Sequence, residues 1–449
     1  MTGQGTPLPI DSFPSHRAVP LRGSGPPPVS AKTPLPSIGD IAHAPSRPQS
    51  TLRSVKAPAA ALACALGLAA CGGSDSSAPQ SDPGPVAEGR QTFRHDTFGN
   101  EAHWTGVLKL HQVIESAVDP KTALSVGLKV DADAVPSAVL QAIRNGTADL
   151  DSPATTLALI QADAVVGVKG TVQTIDGVQR LTRVGITCAL CHSTVDDSVT
   201  QGIGRRLDGW PNRDLDPGAI IALSPALDEV TKAVYRSWGP GRYDARFNMD
   251  GQNKPVVIPP AYGLADIHRI TFTGDGDSIA YWNRYVAVTQ MGGLGSFSEP
   301  RLAVNVRHGT EDRVDAKLDA LQAYQLSLTA PKAPAGSFDS AAAARGRVLF
   351  AGKAMCITCH SGDTFTDANE RLHPLTASMA EPETPSYASR SATKLYRTSP
   401  LKGVWQHPPY FHDGSSPTLE HVVERYNERQ QLQLSPQEVQ DVAQYLKSL

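Results

Sequence analysis

The sequence is short of several things that common folds and ligands require. Its 449 residues carry 41 basic and 44 acidic side chains, a formal charge of −3. That balance leaves no basic excess or stripe and excludes nucleic acid as a partner. Hydrophobic residues make up 40% and aromatics 6%, too little for a protein of many membrane spans. The apolar run Ala59 to Ala70 falls short of the ~20 residues that cross a bilayer. Methionine occurs five times and cysteine six, and once the six cysteines are assigned none remains for a disulfide. Proline and glycine are plentiful, with 36 and 38 copies. At roughly 100–200 residues per domain, the length predicts two or three domains.

The few cysteines are informative by position. Four of them form Cys188-Ala-Leu-Cys191-His192 and Cys356-Ile-Thr-Cys359-His360. C-x-x-C-H is the attachment signature of c-type haem. Each thiol adds to a haem vinyl group, and the next residue sets an imidazole under the iron. Zinc would require the two pairs to converge on one ion and would leave the histidines without a role. A redox-active C-x-x-C predicts one copy in a βαβ setting. The chain is therefore expected to carry two covalently bound haem c groups, with Cys188, Cys191, Cys356 and Cys359 as attachment points. His192 and His360 are the expected iron ligands.

The other two cysteines lie near the N-terminal end. Arg53, Lys56 and Pro58 precede the Ala- and Leu-rich run, which closes on Leu68-Ala-Ala-Cys71-Gly72. This reads as a bacterial lipobox, with a signal peptide at 55–71 and a lipid on Cys71 anchoring the mature protein to the periplasmic face of a membrane. An ordinary secretory signal cut near Ala70 is the alternative; either predicts export. Residues 1–54 are read as a disordered extension, since the first 50 residues hold eleven prolines and no apolar periodicity. The expectation is that translation starts near Leu52 or Val55. Residues 72–85 read as a flexible tether.

Beyond the tether the chain repeats. Gly89-Arg-Gln-Thr-Phe93 matches Gly346-Arg-Val-Leu-Phe350, and Pro260-Ala-Tyr-Gly-Leu264 matches Pro400-Leu-Lys-Gly-Val404. Asp275-Gly276 matches Asp413-Gly414, and the units close on Tyr324–Leu328 and Tyr445–Leu449. The expected fold is mainly α, with two tandem cytochrome c-like haem domains at 86–328 and 338–449. A linker at 329–337 joins them. The first domain carries an insertion, 94–187, holding a helix at Pro136–Arg144 and a β-hairpin, Val165–Ile175 with Val178–Ile186, about Asp176-Gly177. Ser435, Pro436 and Glu438 predict a capping box on the last helix, with Leu434 and Val439 as its hydrophobic staple.

With these segments in place, the sequence resembles the bacterial di-haem cytochrome c peroxidase and MauG superfamily. Thr398–Trp405 and Pro409-Tyr-Phe-His-Asp-Gly414, followed by Thr418-Leu-Glu420, carry the resemblance, which covers roughly Gly89 to Leu449. It implies an oxidoreductase in which a small periplasmic cytochrome or cupredoxin gives electrons to the second haem. These pass to the first haem, where hydrogen peroxide is reduced. It also implies that the sixth ligand of the second haem, methionine in the peroxidases and tyrosine in MauG, falls at Tyr426. Met379 competes for that place. For the first haem the candidates are Met291, His268, His103 and His111; Met355 is read as core packing. Glu299 is the candidate acid–base residue, and Trp282 and Trp405 are candidate aromatics near the haems. A pure electron-transfer cytochrome with both irons six-coordinate, and a haem-based sensor subunit, remain alternatives.

Overall fold

Gly89 and Gly346, the first landmarks of the repeat, each sit where two helices cross. In the computed structural model, which describes residues 84–374 and 386–449, the helix Pro85–His95 packs on Leu318–Ser327, and Ser340–Ala351 packs on Pro436–Lys447. A Cβ on Gly89 would lie 1.8 Å from the Ala320 carbonyl oxygen, and one on Gly346 would lie 1.9 Å from that of Asp441. Only glycine lets these backbones approach so closely. The phenylalanine that ends each landmark is buried beside the crossing. Phe93 meets Tyr324 edge-on with ring centres 5.4 Å apart, and Phe350 meets Tyr445 likewise at 5.2 Å.

The caps explain where these helices begin. The Asp339 carboxylate accepts from the Ala341 and Ala342 amides at 2.8 and 3.0 Å. Ser435 and Glu438 cap each other reciprocally, with Pro436 opening the helix. Leu434 and Val439, either side of that cap, are both buried in one apolar cluster with Phe350, Val442 and Leu446.

The described residues are mostly helical, with small two-stranded sheets. The longest sheet pairs Val168–Ile175 antiparallel with Val178–Ile186, from Val168 opposite Ile186 to Ile175 opposite Val178. Its turn residues Asp176 and Gly177 have φ of 51° and 80°, the double positive φ of a tight hairpin turn. The first strand opens three residues later than the sequence pattern predicts, because Val165 pairs with Val130 instead. Ser137–Arg144 is helical, with Pro136 at its N-cap.

Two apolar clusters flank the first C-x-x-C-H. One gathers Trp104, Leu157, Ile160, Leu181 and Leu190 and takes in Cys191. The other gathers Phe93, Phe98, Tyr285, Met291 and Tyr324 and takes in Cys188. The described residues form one compact unit. Arg390, buried, spans sequence-distant parts of it by pairing with Asp244 at 3.0 Å and Asp250 at 2.6 Å. No helix among the described residues is long and apolar enough to cross a membrane. Cys64, Cys71, the segments up to residue 83 and Met379 lie outside the described residues.

Candidate haem sites

The hairpin delivers the first motif. Its second strand ends at Ile186, whose amide and carbonyl are both held by the Asn100 side chain, at 3.1 and 2.8 Å. Thr187 then bonds the Arg94 carbonyl at 3.1 Å. Cys188 opens the short helix Ala189–His192. Gly167 permits the fold here, since a Cβ on it would lie 2.1 Å from the Leu190 nitrogen. The His192 carbonyl accepts from Gly209 at 2.8 Å, and that of Cys191 from Asn212 at 2.9 Å.

The two histidines are held in one way. His192 Nδ1 lies 3.1 Å from the Pro259 carbonyl oxygen, and His360 Nδ1 lies 3.1 Å from that of Phe365. The backbone of Ser399 also bonds His360. Pro259 and Ser399 stand immediately before Pro260 and Pro400, so the matched segments place equivalent backbone at both imidazoles. A carbonyl only accepts, so Nδ1 carries the proton and Nε2 keeps its lone pair for a metal. Burial keeps both rings neutral, pulling His192 down to about 4 and lowering His360 as well.

The thiols fit attachment rather than dithiol redox work. Burial pushes Cys188 and Cys191 up to about 12 and Cys356 up to about 11, whereas a redox C-x-x-C has a depressed value. Cys359, Asp367 and His373 bring their donor atoms within 4.8 Å of one another. With the Cys359 sulfur bonded to haem, two donors remain, and Asp367 already pairs with Arg371 and His373.

The second motif opens on a cavity of about 450 Å³, within the roughly 300–1,000 Å³ of cofactor sites. Cys356, Cys359, His360 and Tyr426 line it. Tyr426 comes from the helix Leu419–Gln430, is half-buried near the two cysteines, and has its hydroxyl raised well above the ordinary value by desolvation. Sequence reasoning passed over three other polar residues of this wall. Arg213 Nε and Nη1, Arg397 Nε and His407 Nδ1 are buried with no hydrogen-bond partner. None of these three belongs to a motif.

A family model described as RoxA-like, cytochrome c-like, matches residues 395–432. The methylamine utilization protein MauG of Methylorubrum extorquens is 28% identical over 303 residues, covering 60% of this chain and 74% of MauG. Both likenesses are to the di-haem cytochrome c peroxidase and MauG superfamily. They imply haem c as a cofactor, and the residues around the second C-x-x-C-H segment fit it. Two solved structures align partially. One is a hydrazine synthase of Kuenenia stuttgartiensis pressurised with 20 bar xenon, at 20% identity and a TM-score of 0.30, over 48% of this chain and 78% of that one. The other is a MauG-like protein associated with microbial copper homeostasis, at 20% identity and 0.31, over 44% and 74%. Neither score supports an argument about the fold.

The superfamily's remaining candidates are placed as follows. Met291 is buried in the cluster that Cys188 joins, and its carbonyl accepts from Trp104 Nε1 at 2.9 Å. His103 packs against Gly292, beside Met291. His111 sits by Lys109 and Glu115, and His268 is exposed. Met355 is 60% exposed, a correction to its reading as core packing. Its φ of 51° breaks the chain out of the Ser340–Ala351 helix direction just before Cys356. Glu299 is buried and engaged: Arg301 donates twice, at 2.9 and 2.6 Å, and the Tyr281 hydroxyl at 2.8 Å. These donors hold its carboxyl down at about 2. Trp282 stacks on Tyr285 at 4.7 Å. Trp405 meets Trp210 edge-on at 6.0 Å, and Trp210 meets Tyr262 at 6.5 Å.

Proposed function

We propose that the chain is an exported, lipid-anchored di-haem c-type cytochrome built as two tandem cytochrome c-like domains, 86–328 and 338–449. It relays electrons from a small periplasmic cytochrome or cupredoxin through the second haem to the first, where hydrogen peroxide is reduced. The observation that carries this reading is the paired construction of the two C-x-x-C-H segments. Each has a half-buried imidazole, fixed through Nδ1 on a backbone carbonyl.

Haem c supplies reversible one-electron chemistry at iron and, where a coordination position is open, a place for an oxidant. The protein's own residues do the rest. His192 and His360 present Nε2, and Tyr426 offers an oxygen for the second group. Met291 offers a thioether for the first, with Met379 as the rival to Tyr426. Trp210, beside the Gly209 that binds His192, touches Trp405, which supports a short path between the two sites.

One observation favours a second reading, electron transfer without catalysis. Glu299, the candidate proton carrier, is already committed to Arg301 and Tyr281. In that case both irons are six-coordinate and neither meets peroxide. Low-temperature EPR, followed by peroxide added to the reduced protein, separates the two. A high-spin signal in the oxidised protein, with peroxide rapidly reoxidising the reduced one, supports the peroxidase reading; two low-spin, unreactive haems refute it.

A further inference from the structure

The second cavity contains an unsolved charge problem. Arg213 and Arg397 both line it, and both bury guanidinium nitrogens that have no partner. A buried cation without an anion or hydrogen bonds is costly, and burial pulls both side chains down to about 10. Arg397 Nη1 bonds the Arg269 carbonyl at 3.0 Å, which leaves Nε unused. The groups acting on Arg213 are Tyr262, Tyr410 and Arg242, none of them an anion at neutral pH. His407, influenced by Arg213, adds a third orphaned donor in Nδ1.

The position of these donors is informative. Tyr426 stands near Cys356 and Cys359, and Arg213 stands near Tyr262, Tyr410 and His407. In haem c the thioethers and the propionates occupy opposite edges of the macrocycle. Arg213 and His407 share one neighbourhood of that wall, and Arg397 lines the same cavity. Two carboxylates would satisfy two cations.

We propose that Arg213 and Arg397, assisted by His407, bind the propionates of the haem attached at Cys356 and Cys359. Arg213 belongs to the half of the chain that holds the first haem. The second site is therefore completed across the repeat, and the charge state of one half tunes the potential of the other. This inference rests on the second segment binding haem.

The test uses the full holoprotein, with haem content read by pyridine haemochrome and potentials by spectroelectrochemical titration. Arg213→Gln leaves a propionate unneutralised beside the iron and stabilises the ferric form. The expected result is at least a tenfold shift of the second haem's reduction equilibrium toward oxidised, about 59 mV for one electron. Arg213→Lys restores most of it. Arg397→Gln shifts the same haem in the same direction and supplies the test if Arg213→Gln does not fold. Arg347→Gln, an exposed cation, leaves the potential in place. Resonance Raman should show the propionate bending band weakened in hydrogen bonding in both glutamine variants. Two haems attached, with potential and band unchanged in both, overturn the proposal. A preparation with no haem at Cys356 and Cys359 instead overturns the reading on which it rests.

Discussion

At the scale of single residues, the consequential ones divide into those that a motif announces and those that only packing reveals. The cysteines and histidines of the two C-x-x-C-H segments are announced by a motif, because haem attachment demands both a residue type and a spacing. Arg213, Arg397 and His407 were not, because an orphaned buried donor leaves no trace in a linear pattern. Tyr426 sits between these cases: its place follows from the resemblance and its burial from the fold. Tyr426→Phe removes an oxygen while keeping the ring that packs near Phe411. The optical and EPR spectrum of the second haem should change while the first stays as it was; an unchanged second haem refutes ligation. Glu299 makes a pH prediction. Its carboxyl is depressed from 4.5 to about 2, so its contribution to stability is complete above pH 4.5 and is lost as pH falls through about 2. With Arg301 largely exposed, that contribution is about 1 kcal/mol. Thermal unfolding should place Glu299→Gln below wild type at pH 7, with the gap closing in acid; a constant gap contradicts the assignment.

At the scale of elements, the last helix was readable in full. Ser435, Pro436 and Glu438 spell its start, and Leu434 with Val439 spell its entry angle, because capping is local chemistry. Ser435→Ala should cost about 1 kcal/mol, measured by denaturant unfolding. The helix crossings were readable only as a repeat. Gly89 and Gly346 stood out as matched letters, but the reason, a backbone 1.8 or 1.9 Å from the missing Cβ, depends on a partner helix more than 90 residues away. Gly346→Ala should therefore cost about 3 kcal/mol by forcing the helices apart, and haem attached at Cys356 and Cys359 should fall with it. Full stability in that variant contradicts the crossing. The hairpin shows the same limit in miniature. Its Asp176-Gly177 turn was visible, but the start at Val168 was set by a distant bridge to Val130.

At the scale of the whole molecule, the described residues form one compact unit. Long-range polar contacts account for this. Arg390 reaches back to Asp244 and Asp250, and Tyr262 bonds the Gly403 carbonyl at 2.9 Å. Arg390→Met would leave Asp244 buried and unpaired, at a cost of about 3 kcal/mol. Differential scanning calorimetry should show the main transition moving down as a whole rather than splitting, because the contact ties sequence-distant parts of the compact unit together. All of this depends on the claim that each C-x-x-C-H segment carries one covalent haem. Intact mass spectrometry of the protein matured with its haem-attachment machinery, under denaturing conditions, tests that claim most directly. The account predicts a mass above the polypeptide by two haem groups, falling to one in Cys356→Ala/Cys359→Ala and to one in Cys188→Ala/Cys191→Ala. A single haem in the wild-type protein, or none, would contradict it.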